Sequence, residues 1–170
     1  YEYQIDDLKT YISNNSITNA SGVAEFWNQV GGYTSNETSV NNYIDALDDF
    51  QDHGIIVYAL SNDSTFTDAD VQAALPQLFT ELAEAWIAAV NVNITGTIAN
   101  PSYEIMSAPC GQAGSYCLGG DGWSVSGPGH DGNGEYAVQI SGTSFVAPQI
   151  SGAVALLAEA FPNHTPDQWQ

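Results

Sequence analysis

A serine stands at the start of the run GTSFVAP (Gly142–Pro148), ahead of Ser151-Gly152 and an Ala-rich apolar stretch. When a serine hydroxyl attacks a carbonyl, negative charge develops on the carbonyl oxygen. Free N–H groups at a helix N-terminus, with the positive end of the dipole, stabilise that charge. Pro148 has no N–H, so a helix tolerates it best in the first turn, and its place limits where the helix can begin. Ser144 therefore falls at or near the N-terminus with its hydroxyl facing the loops. An isolated G-T-S would be no more than a helix cap. It is the whole run, including the proline four residues past the serine, that singles out Ser144. Position 146 is Val, so this is not the G-x-S-x-G nucleophile elbow, and lipase-like and esterase-like folds are disfavoured.

Other residues with chemical potential are fewer. Cys110 and Cys117 lie seven apart in the Gly-rich PCGQAGSYCLGG. With no other cysteine and no C-x-x-C spacing, a zinc site is disfavoured; a disulfide closing a small loop is favoured over a pair of free thiols, and with it an oxidising compartment. Asp131, Asn133 and Glu135 resemble a calcium loop but lack the Gly and Glu that such a loop needs, and Asp63, Asp68 and Asp70 form another acidic run. Neither is a clear ligand set, and solvated loops are the simpler account of both.

The elements that must position these residues follow from apolar spacing. Residues 1–36 are polar, and Val23, Phe26, Trp27 and Val30 suggest a surface region with one or two short helices. Val40, Tyr43, Ile44, Leu47 and Phe50 recur at 3- and 4-residue steps and predict an amphipathic helix, with Gly54 at its C-cap. The run 55–61 (IIVYALS) is apolar throughout and predicts a strand buried on both faces, and 86–92 (WIAAVNV) predicts a second. A short helix is expected around Val71–Leu75, interrupted by Pro76, and a short strand at Tyr103–Ser107. Residues 109–135 read as loop with short hairpins. Helix, buried strand, loop, buried strand is the grammar of an α/β fold: a mostly parallel sheet with helices on both faces.

Composition sets the outer limits. The 170 residues hold a single basic side chain, Lys9, against 20 acidic ones, for a net charge of −19. That excludes a basic phosphate-binding footprint, hence nucleic acid as partner, and a polybasic membrane patch. No apolar stretch reaches membrane-spanning length, and the first residues are not a signal peptide. At 44% hydrophobic residues the chain is globular rather than a disordered acidic tail. Six N-x-S/T triplets occur, which arise readily in a chain rich in Asn, Ser and Thr.

The segment SGTSFVAPQISGAVALLAEAFPNHTPDQ closely resembles the nucleophile-serine segment of subtilisin-like serine proteases, the subtilases, whose pattern is G-T-S-x-x-A-P-x-x-S-G followed by a helix and a Pro-x-x-T/S-P stretch. The resemblance implies that Ser144 is the nucleophile and that its backbone N–H is one oxyanion donor. DALDDFQDHGIIVYALSNDS is similar to the family's helix–Gly–strand stretch ending A-A-G-N, whose Asn amide is the other donor, and this implies that role for Asn62. An amide at the carboxyl end of a buried strand points into the crevice where α/β sheets bind ligands. The family's glycine before that Asn is Ser61 here, and extra atoms there would narrow the pocket. Ala59, Leu60 and Ser61 are implied as pocket residues, with Gly142 and Thr143 on the serine side. IMSAPCG (105–111) looks like the family's V-A-P-G with Cys110 inserted. The serine segment also looks like that of the subtilase domains of bacterial autotransporters.

Serine needs a general base and a group to orient it, and subtilases supply them in the chain order Asp, His, Ser. None of His53, His130 and His164 stands in an H-G-T-H-like segment, and no Asp stands in a V-I-D-S/T-G setting. The resemblance, clearest over 40–170, thus implies that residues 1–170 are the C-terminal portion of a subtilase-like peptidase domain, incomplete in this chain. The catalytic Asp and His are expected upstream, and the 170 residues are expected to be unstable and inactive alone. The implied function is that of a secreted or cell-surface serine endopeptidase that forms an acyl-enzyme and requires no cofactor. Calcium is allowed by the resemblance, without a clear ligand set. The implied partners are a polypeptide substrate and the remainder of the same domain. The competing reading is a non-catalytic subtilase-like structural or adhesive module.

Overall fold

Side chains of a strand alternate between faces, so an unbroken apolar run is useful only where both faces are covered. In the computed structural model, which describes residues 4–32, 34–128 and 136–170, strand β2 (Trp86–Thr97) meets that condition. Trp86, Ala88, Val90 and Val92 face a large core, while Ile87 and Ala89 face a smaller one with Val146 and Ile150. The large core is built from helices α1 (Ile5–Asn15), α2 (Asn19–Val30) and α3 (Glu37–Gln51), and the smaller one from α4 (Thr143–Ala160). Helices thus cover both faces of the sheet.

Strands β1 (Ile56–Ala59) and β4 (Cys117–Asp121) both pair with β2 in parallel, in the registers Ile56↔Trp86 and Ala88↔Cys117. Strand β3 (Asn100–Ile105) returns antiparallel along the far end of β2, from Val92↔Ile105 to Thr97↔Asn100. A separate antiparallel ribbon joins β5 (Val125–Pro128) to β6 (Tyr136–Ile140), and the short helix α5 (Pro166–Trp169) ends the chain. The fold class is therefore α/β with a mostly parallel sheet.

Several local expectations are corrected. The N-terminal helices are not surface additions: Ile5, Leu8 and Ile12 of α1 and Ala20, Val23, Ala24 and Phe26 of α2 lie in the large core. Strand β1 is half-buried rather than buried on both faces, because its only strand partner among the described residues is β2. Helix α3 stops at Gln51, and its C-cap residue Asp52 is right-handed. Gly54 is not that cap; it lies beside the exposed Phe50 ring, which a Cβ there would approach to 2.7 Å. Around Val71–Leu75 there is a turn rather than a helix, and Pro76 sits inside a 3-10 turn, Leu75–Gln77. Pro148 lies in the second turn of α4, not the first, so the Ser144 carbonyl has no N–H to accept four residues on.

Candidate functional site

Two chain segments converge at one end of the parallel strands. After β1, the Leu60 N–H donates to the Ala89 carbonyl at 3.0 Å, which carries the pairing one residue further. The chain then turns. The Ser61 N–H donates to Asp70 Oδ2 at 2.7 Å, and the Asp63 N–H to Ser61 Oγ at 3.1 Å. These bonds hold Asn62, exposed, at the strand end.

The second segment is the entry to α4. Gly142 and Thr143 are buried, and Ser144, the second helical residue, is exposed. The Thr143 N–H donates to Asn62 Oδ1 at 2.9 Å, and the Thr143 hydroxyl lies 3.2 Å from the same oxygen. With Oδ1 accepting from Thr143, the carboxamide keeps its Nδ2 end as donor. The Ser144 N–H, in the first turn, has no acceptor within the helix. Thr143 thus brings the Asn62 carboxamide to the same cleft as the exposed Ser144.

Behind them lies a buried support. Asn91 of β2 is 1% exposed; its N–H donates to Ser107 Oγ at 3.1 Å and its Oδ1 accepts the Gly122 N–H at 3.0 Å. The Gly122 carbonyl accepts the Gly142 N–H at 3.0 Å, so the central strand sets the start of α4 through two bonds in series. A Cβ on Gly122 would meet the Gly142 carbonyl at 2.5 Å, a contact only glycine allows.

Asn62 and Ser144 line a cleft of about 420 Å³ together with Ala59, Leu60, Ser61 and Thr143. Among the residues singled out from sequence, Gly142 does not line it but abuts it, with its Cβ position 3.3 Å from Asn62 Oδ1. Phe26 and Val30 of α2 and the buried Asp70 also line the cleft. Burial pushes the Asp70 carboxyl above its ordinary pKa, against the opposing pull of the Ala73 and Ser61 N–H donors. Burial likewise raises Tyr58, at the same cleft, to about 12.

Asp70 and Asn91 were not legible as site residues. Asp70 reads in sequence as one of three aspartates in a polar run. Asn91 carried a usable signal: it is the one polar residue in an otherwise apolar strand run, and buried polar groups have partners.

His53 and His164 lie elsewhere. His53 is exposed just past α3, and His164 stacks on Phe161 at 5.2 Å; neither lines the cleft. His130 and the run Asp131–Glu135 lie outside the described residues. Asp63 and Asp68 accept bonds from Thr65 and Gln112, and among the described residues no group of three His, Cys, Asp or Glu could hold a metal ion. Cys110 and Cys117 are joined by a disulfide, with Cα atoms 5.9 Å apart, that fixes the approach to β4.

Comparison with known proteins agrees with the α/β fold. The model of the subtilase family matches residues 1–170. An extracellular serine protease of Serratia marcescens is 26% identical, over 68% of this chain and 12% of that protein. Among solved structures, Sphericase superposes with a TM-score of 0.56 at 18% identity, over 89% of this chain and 52% of that one. The S41 psychrophilic protease gives 0.55 at 18%, over 88% and 53%. The prenylagaramide maturation protease PagA gives 0.52 at 20%, over 76% and 42%. The chain thus spans about half the length of these solved structures and a smaller share of the curated relative.

Proposed function

This chain belongs to the subtilase family, and from that premise we propose that it carries the nucleophile and the oxyanion site of a secreted serine endopeptidase. Ser144 Oγ attacks the carbonyl carbon of a peptide bond while its proton passes to a histidine base supplied from upstream, with an aspartate orienting that base. The oxygen of the tetrahedral intermediate accepts from the Ser144 N–H and Asn62 Nδ2. Collapse breaks the C–N bond, the base returns the proton to the leaving amine, and an acyl-enzyme remains on Ser144 for water to hydrolyse. The observation that carries this reading is the 2.9 Å bond from the Thr143 N–H to Asn62 Oδ1, which ties the carboxamide to the residue next to Ser144 inside one cleft. The extracellular relative and the Cys110–Cys117 disulfide support secretion.

The test is labelling of the full-length protein with a fluorophosphonate. Covalent modification at Ser144, absent in Ser144→Ala, is expected of a protease. A second reading has one observation in its favour: among the described residues, no histidine lines the cleft. A family member serving as a scaffold without a base would leave Ser144 unlabelled.

A further inference from the structure

We propose that Asp70 sets the primary specificity of the cleft by selecting a lysine or arginine side chain on the amino side of the scissile bond, a step that rests on Ser144 acting as nucleophile. Asp70 is 8% exposed yet lines the same cleft as Ser144 and Asn62. Its Oδ2 accepts the N–H of Ser61, the residue directly before Asn62, so the carboxylate is anchored beside the oxyanion amide.

The surroundings suit a long cationic side chain. Phe26, Val30 and Val71 supply apolar wall, against which an aliphatic stem can lie while its charged head reaches a polar group. The Ser61 and Ala73 N–H groups donate to one carboxylate oxygen each, and the N–H groups of Gln72 and of Asp70 itself also act on the carboxylate. An ionised carboxylate held in this way still attracts an ammonium or guanidinium head through a charge-assisted bond.

No cation within these residues fills that role. The chain has no arginine, and its one lysine, Lys9, donates to Gln112 Oε1 at 2.6 Å. Burial outweighs the N–H donors in raising the Asp70 pKa, so its charged form is under-compensated and a cation would favour it. The net charge of −19 steers cationic segments towards the molecule and repels acidic ones.

The experiment uses the full-length protein, with fluorophosphonate labelling to count active sites. Peptide substrates differing only in the residue before the cut (Arg, Lys, Gln, Leu or Glu) are compared per labelled site, with benzamidine as a competing cation. The expected result is a kcat/KM for Arg and Lys roughly tenfold or more above Gln and Leu, with competitive inhibition by benzamidine. In Asp70→Asn that ratio collapses and benzamidine sensitivity falls with it. Should the variant not fold, the native panel and the benzamidine competition decide alone. Native enzyme that labels but prefers Leu or Glu overturns the assignment, as does a variant that keeps the cationic preference. Absence of labelling in the native protein removes the protease reading itself, and this inference with it, a failure distinct from loss of selectivity.

Discussion

Asn62 has two ends with different duties, and they can be separated by substitution. Oδ1 anchors the carboxamide to Thr143, while Nδ2 is the proposed oxyanion donor. Asn62→Asp keeps an acceptor for the Thr143 N–H but loses the donor and adds negative charge where negative charge must develop. Asn62→Ala loses both. Turnover should fall by about 10²–10³ or more in each, a range established for subtilisin itself. Melting temperature should separate them: Asn62→Asp stays close to the native protein, and Asn62→Ala loses about 1 kcal/mol with the anchoring bond. Tyr58 supplies a pH dependence. Its pKa is raised from 10.0 to about 12 in the folded state, chiefly by burial, so the unfolded chain releases this proton first. The stability it contributes is complete below pH 10 and is lost as pH climbs towards 12. Urea midpoints between those limits should fall less steeply in Tyr58→Phe than in the native protein. Ser144 was legible because its surroundings are contiguous in sequence, whereas the place of Asp70 depends on a turn bringing it back to Ser61, which no local spacing records.

Elements position these residues through few contacts, and the entry to α4 is the most demanding. The path from Asn91 to Gly122 to Gly142 leaves no space for a side chain at 122, where a Cβ would also lie 2.7 Å from Val146 Cγ2 and 2.8 Å from Asn91 Oδ1. Gly122→Ala should therefore displace Gly142 and with it Thr143 and Ser144. The expected outcome is a large loss of fluorophosphonate labelling rate, with far-ultraviolet dichroism nearly unchanged because no helix or strand residue is altered. A displacement of about 1 Å can cost 10²-fold in rate. The sheet's centre was legible, since Trp86 to Val92 must be covered on both faces to be so apolar. Helix α2 was legible as a short helix and α1 only as an unlocated second one, and neither as core. Their apolar residues are diluted by Asn, Ser and Thr, and their depth depends on a core shared with Leu75, Leu82 and Trp86 from distant segments. The 3-10 turns after β1 were missed because Pro76 permits the start of a turn as readily as it ends a helix.

At the scale of the molecule, the sheet has one well-covered strand among the described residues. Strand β1 is half-buried at an edge, and α4 turns Leu156 and Phe161 outward, 69% and 48% exposed, with Leu157 beside them at 41%. Leu156 and Leu157 are part of a helix whose opposite face is held against β1, β2 and β4, so they cannot be buried by a small shift within these residues. Apolar surface on that helix gains from a further layer over it, and each such side chain left uncovered forgoes about 1.5–3 kcal/mol. The charge of −19 adds self-repulsion with a single lysine to relieve it. A domain of ordinary stability, roughly 5–15 kcal/mol, has little margin against several such terms. The 170 residues expressed alone should accordingly melt broadly, bind a hydrophobic dye before unfolding, and gain stability as salt is raised, because screening weakens the repulsion. The same segment within the full-length protein should unfold in one sharp transition. A sharp two-state urea transition of the isolated segment at low salt, with no dye binding, would show that the exposed face of α4 needs no cover.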